Sequence, residues 1–141
     1  MIKELNETNV KVEKARLLTI AEFEEFEESL EGQTTNVCWW LADMNDDGDA
    51  AYVEGDYREE DMFTSTTYEN TYVRVALDIT GGVKGEQFVY CGYVFTALSE
   101  TLAISNNVTG PAKYYDEELL GYIYDDDVTC TLTAVIDTIF G

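Results

Sequence analysis

Histidine is absent from the chain, which removes both the usual general base and the commonest nitrogen ligand for metals. Bases of any kind are scarce: 8 Lys and Arg stand against 29 Asp and Glu, for a formal charge of −21. A surface of that sign repels nucleic acid and anionic membranes and attracts basic protein surfaces or cations. Cys38, Cys91 and Cys130 are widely separated and form no C-x-x-C pair, so they read as reduced, buried small hydrophobes rather than as a disulfide framework or a zinc site. No apolar run approaches the roughly 20 residues that span a bilayer. The N-terminus lacks the basic and apolar regions of a signal peptide, so the expected location is the cytoplasm. The one proline, Pro111, follows Gly110 in a connecting loop. G-x-S-x-G, Walker-type and zinc spacings are all missing, and Gly81-Gly82-Val83-Lys84-Gly85 lacks the flanking order of a phosphate loop and reads as a linker. No motif places one carboxylate as acid and another as base, so the chain reads as a protein that is not an enzyme.

Apolar residues, by contrast, make up 45% of the 141 positions and aromatics 13%, enough to bury a core in a single domain spanning 1–141. Within it, 1–82 reads as a helix plus a Trp-containing sheet and 83–141 as a β-meander plus a C-terminal helix. The acidity is spread along the chain rather than held in a tail: residues 1–36, 37–82 and 83–141 carry −5, −9 and −7. That far exceeds the magnitude of about 2 to 8 that suffices to keep a small domain soluble.

The expected architecture is α+β: an antiparallel twisted sheet with an N-terminal amphipathic helix over about 20–31 and a C-terminal helix over about 126–140. Met1 to Val12 reads as a frayed start before a strand at Ala15 to Leu18. Thr19 and Glu22 form a capping-box pair, and Ile20, Phe23, Phe26 and Leu30 make an apolar stripe that Gly32 ends. The stretch Val37 to Asp56 holds two adjacent tryptophans, an acidic turn and a second apolar run, a strand–loop–strand pattern. Tyr57 to Asn70 suits an exposed excursion. Tyr72 to Ile79 alternates as a strand with one buried face, and within it Arg74 suits an ion pair at the core edge or a backbone cap. Gln87–Cys91, Tyr93–Leu98 and Thr101–Ile104 are short β-rich runs broken by turns, an antiparallel meander. At the C-terminus Val128, Leu132, Val135, Ile136 and Ile139 share a helical face, with Asp125, Asp126 and Asp127 where negative charge favours a helix start.

Two sets of candidate site residues follow. Asp43, Asn45, Asp47, Gly48 and Glu54 match D-x-[DN]-x-[DN]-G-x5-E, the spacing with which oxygen ligands alternate around calcium; Asp49 lies beside them as a further donor. No cofactor other than Ca2+ at this loop is implied. The second set is the acidic surface: Glu24, Glu25, Glu28 and Glu31 on the helix, Asp46, Asp47 and Asp49 in the turn, Glu59, Glu60 and Asp61, and Asp116, Glu117 and Glu118. Carboxylates on successive helical turns lie about 6 Å apart, close to the phosphate repeat of a nucleic-acid strand. The reading is a nucleic-acid mimic whose partner is a basic protein surface, that of a host nucleic-acid-binding protein, rather than nucleic acid or membrane.

Four segments carry a resemblance: Ala15-Arg16-Leu17-Leu18-Thr19, Trp39-Trp40-Leu41-Ala42-Asp43, Ala50-Ala51-Tyr52-Val53 and Val73-Arg74-Val75-Ala76-Leu77. They resemble R-L-L-T, W-W-L-R-S-P-G, A-A-Y-V and V-R-P-A-L of a bacterial and phage domain family of unknown function. Gly92-Tyr93-Val94-Phe95-Thr96 with Leu102-Ala103-Ile104 is similar to a G-Y-T-F-T…L-A-L piece in phage members. R-S-P-G is replaced by Ala42-Asp43-Met44-Asn45, and the proline of V-R-P-A-L by Val75. The resemblance implies a phage or prophage origin, no catalysis, and a likeness to C-type-lectin-like and formylglycine-generating-enzyme-like folds. With the acidity it points to an anti-CRISPR or anti-restriction inhibitor. The alternative is a lectin-like ligand-binding or virion-associated module binding calcium through Asp43–Glu54.

Overall fold

The computed structural model describes residues 2–30, 37–55, 58, 60–65 and 71–108. Its centre is the tryptophan hairpin. Strand β3 (Cys38–Met44) pairs antiparallel with β4 (Ala50–Glu54), with Trp39 opposite Val53 and Trp40 opposite Tyr52. Because side chains alternate across a strand, the adjacent tryptophans enter different cores. Trp40 packs with Ala15, Leu17, Val73, Leu77, Phe88 and Phe95. Trp39 packs with Leu18, Phe23, Leu30, Val53 and Ile104. Two-residue strands β5 (Phe63–Thr64) and β6 (Thr71–Tyr72) complete a four-stranded sheet in the order β5-β4-β3-β6.

The larger sheet has six strands. Strand β2 (Lys11–Arg16) lies beside β7 (Ala76–Thr80), and β8 (Gln87–Tyr90), β9 (Tyr93–Ala97) and β10 (Leu102–Ser105) follow as the antiparallel meander the sequence predicts. Strand β1 (Lys3–Glu4) joins the far edge parallel to β8, so the order is β1-β8-β9-β10-β7-β2. This sheet draws strands from both sides of residue 82, so among the described residues the two sides share one structural layer. Cys91 and Gly92 close the β8–β9 hairpin at φ 51° and 82°, the left-handed pair that a two-residue turn requires. Gly81, at φ 73°, approaches the backbone carbonyl of Asn9 so closely that a Cβ would collide with it.

Several expectations are corrected. The fold is mainly β, two mixed sheets each containing a parallel pair, rather than one antiparallel sheet with a long helix packed on it. The N-terminal helix over 20–31 is instead two short pieces, α1 (Ile20–Glu25) and α2 (Glu27–Leu30). The capping box at Thr19 and Glu22 forms as expected, but Phe26 leaves helical geometry at φ −106°, ψ 17°. Glu22, Glu24, Glu25, Glu27 and Glu28 repel one another at helical spacing, and only Phe23 and Leu30 are buried to offset this. The start is not frayed: β1 pairs into the sheet, and the 3-10 turn Leu5–Glu7 that follows packs Leu5 against the core. Nor does 72–79 have one solvent face. The chain leaves the small sheet at β6 and enters the large one at β7, and Val73 to Leu77 are buried throughout. Arg74 is fully buried at that crossing rather than at a core edge, and of its two expected roles it takes the backbone cap, its Nε donating to the Ser105 carbonyl at 2.7 Å and its guanidinium 5.1 Å from the Trp39 ring. The expected C-terminal helix lies outside the described residues. No helix among the described residues is long and apolar enough to cross a membrane.

Candidate functional site: an acidic face

The break at Phe26 decides which carboxylates reach solvent. Glu24, Glu25 and Glu28 are exposed, as the sequence predicts, and so is Glu27, which a continuous helix would place near the apolar stripe. At the start of α1, the Ile20 N–H donates to Asp43 Oδ1 at 3.3 Å. That contact sets the end of β3, and the acidic turn after it, against the helix.

Asn45 organises the turn. Its Oδ1 accepts from the N–H groups of Asp47 at 3.1 Å and Asp49 at 2.9 Å, while its own N–H donates to the Asp49 carbonyl at 3.0 Å. Asp46 and Asp47 are left exposed and Asp49 half-buried. On the flank of the helices, Glu24 and Glu27 share a cleft of about 350 Å3 with Phe23, Arg58 and Glu60. Glu60 and Asp61 are exposed beside it. Arg58 lies with its guanidinium 5.8 Å from the Phe63 ring and donates from Nη2 to the Glu60 carbonyl at 3.3 Å.

The helices therefore meet the turn at the start of α1 and Glu60 along their flank, while the pairing of β5 with β4 carries 60–61 toward the Glu54 end of the small sheet, away from the turn. Arg58 is the one base in the sequence between Arg16 and Arg74. Arg74 is buried, and Arg16 is held by two carboxylates: Nη1 and Nη2 meet Glu22 at 2.6 and 2.7 Å, and Nε and Nη2 meet Asp78 at 3.0–3.2 Å. Neither neutralises the face. Glu31, Glu59, Asp116, Glu117 and Glu118, the remaining acids of the predicted surface, lie outside the described residues.

The calcium spacing is not gathered into a cage. Asp43 turns to the α1 N-terminus, the Asn45 carbonyl oxygen is taken by the turn, and Glu54 sits opposite Cys38 at the far end of β4. Four steps of extended strand carry Glu54 about 13 Å from Ala50. Asp47 and Asp49 alone remain near one another. Among the described residues no group of three or more Cys, His, Asp or Glu is arranged to hold a metal. Cys38 is half-buried and Cys91 exposed, not the buried small hydrophobes expected; Cys91 occupies the hairpin tip. Cys130 lies outside the described residues.

Sequence reasoning passed over Arg58 and Glu27. An isolated base in a long acidic stretch was the available signal for the first; for the second, helical period pointed the wrong way. No protein-family model matches this chain, and no curated protein or solved structure matches it.

Proposed function

We propose that the protein is a non-catalytic binding protein whose acidic face, formed by α1–α2, the 45–49 turn and Glu60–Asp61, occupies a basic groove that otherwise holds nucleic acid. The observation that carries this reading is that the helix pair is bordered by further carboxylates on two sides, the acidic turn held to its start through Asp43 and Glu60 across the cleft on its flank, with Arg58 the base interspersed among these described residues. Such a face attracts a cationic partner over a Debye length and orients it before contact. The phage-like motifs extend the proposal: a phage product that acts in the host cytoplasm and blocks a CRISPR effector or restriction enzyme by mimicking its nucleic acid.

The test is competition. Labelled DNA bound to a panel of CRISPR effectors and restriction endonucleases is titrated with the protein at about 50 and 300 mM salt, where charge-driven contacts weaken steeply. Displacement that fades with salt, and that is lost when Glu24, Glu25, Glu28, Asp46 and Asp47 are replaced by their amides, is the expected outcome. Absence of displacement across the panel, or competition by the amide variant equal to the parent's, would overturn it.

A further inference from the structure

Strands β1 and β2 are the two edges of the six-stranded sheet, yet only Leu5 to Val10 join them. Laid flat, the sheet would hold those edges about 24 Å apart at a strand spacing of about 4.8 Å. A link that short, beginning with a 3-10 turn, covers about 20 Å at full stretch. The sheet therefore curls until its edges face each other across one mouth.

That mouth is a cleft of about 580 Å3, with the 3-10 turn and the start of β2 on one side and Val89, Tyr90 and Cys91 on the other. The volume falls within the range of small-molecule sites, and the mouth of a curled sheet is a common place for one. Val10 is buried, and Leu5, Val12, Val89 and Tyr90 are half-buried, so the walls are largely apolar. Asn6, Lys11 and Cys91 are exposed.

Charge in the cleft runs against the rest of the molecule. Glu4, the one acid of the lining, closes a capping box with Glu7 on the 3-10 turn. Among the described residues Lys11 has no carboxylate at ion-pair distance and the Asn6 side chain makes no hydrogen bond. Two donors without partners thus line one cleft in a chain of 29 acids.

We infer that this cleft binds a small monocarboxylate with a compact apolar body. The carboxylate accepts from the Lys11 ammonium and the Asn6 amide, and the body displaces water from Leu5, Val10, Val12 and Val89. The field of a −21 molecule turns away polyanions such as nucleotides. Affinity comes chiefly from the apolar body, because an exposed ion pair contributes little. The cleft shares no residue with the acidic face and is independent of the proposed partner.

The probes are 3-phenylpropionate and its uncharged amide, each titrated into the full chain and followed by backbone amide shifts in NMR. Shift changes confined to residues 4–12 and 89–91 are expected, with the acid binding about two- to fivefold tighter than the amide. Lys11→Met, which keeps the aliphatic stem of an exposed residue, is expected to abolish that preference and leave the amide's affinity unchanged; Lys11→Glu is expected to reverse it. In the unaltered chain, 3-phenylpropionate is expected to slow alkylation of Cys91 by iodoacetamide, an arm that needs no variant to fold. Shift changes scattered outside the cleft, no binding of either probe, equal affinity for acid and amide, a preference that survives Lys11→Met, or alkylation of Cys91 unaffected by the acid would each overturn the assignment.

Discussion

Replacing Arg16 by Met should cost the protein about 2 kcal/mol, and the figure follows from where the guanidinium sits. It joins three pieces of chain: β2, which carries it, the first turn of α1 through Glu22, and β7 through Asp78, with an added bond from Nη1 to the Leu17 carbonyl at 3.1 Å. A hydrogen bond to a charged group contributes about 1.5–3 kcal/mol when buried. Here the side chains of Arg16 and Glu22 remain 17% and 22% exposed, and that of Asp78 36%, so solvent screening reduces each bond well below the buried limit. Met keeps the aliphatic packing and removes only the charge and its bonds. Urea unfolding followed by the fluorescence of Trp39 and Trp40, both at 0% exposure, measures the loss, and a fall in melting temperature of about 8 °C accompanies it.

Acid supplies the second half of the test. Burial alone would raise the Glu22 carboxyl, but hydrogen bonds from Arg16 and from Thr19, with the Arg16 charge, outweigh it and hold Glu22 below the usual carboxylate range. A depressed folded-state pKa means that the unfolded chain binds more protons in this range. The stabilisation is therefore complete above the ordinary carboxylate pKa of about 4.3 and is lost as pH falls through the lowered value. The stability gap between parent and Arg16→Met should accordingly shrink below about pH 4. A gap under about 0.5 kcal/mol at neutral pH, or one that stays constant into acid, would refute the reasoning.

Other outcomes follow from single features. Cys91→Gly should stabilise by about 0.5–1 kcal/mol, because a side chain at φ 51° is strained and glycine is not; an unchanged urea midpoint would count against this. Gly81→Ala should cost more than about 2 kcal/mol, since its Cβ meets the Asn9 carbonyl in a backbone that cannot easily yield; a melting temperature equal to the parent's would show that the 9–10 segment moves freely. Trp40→Ala should lose about 3–5 kcal/mol by leaving a cavity among Ala15, Val73 and Phe95, read by denaturant titration. Raising salt from low to about 0.5 M should increase the melting temperature through screening of the −21 surface; a decrease would mean that attractive pairs outweigh repulsion.

What could be read from the residues was whatever has a short period or a local partner. The tryptophan hairpin and the β8–β10 meander are short apolar and aromatic runs that end at turn residues, and the Thr19–Glu22 cap closes within one turn; all three have their stated form. Strands of two residues, β1, β5 and β6, carry no period to detect, and two of them make the parallel pairs that turn a simple sheet into two mixed ones. The Arg16–Asp78 contact spans 62 positions, beyond any local pattern. Glu27 was concealed by an apolar stripe that assumed an unbroken helix. The calcium spacing presumes a loop that curls on itself, whereas Ala50–Glu54 is an extended strand that carries its last carboxylate away from the turn.

The passage of the chain from Thr71 to Thr80 ties the two layers together by a single uninterrupted thread. β6 edges one sheet, β7 is interior to the other, and Arg74 is anchored between them on Trp39 and the Ser105 carbonyl. Peeling either layer away must drag this thread, its buried cation included, through the interior. Amide hydrogens of β3 and β7 should thus exchange with solvent at one common rate, released together only when the whole molecule opens.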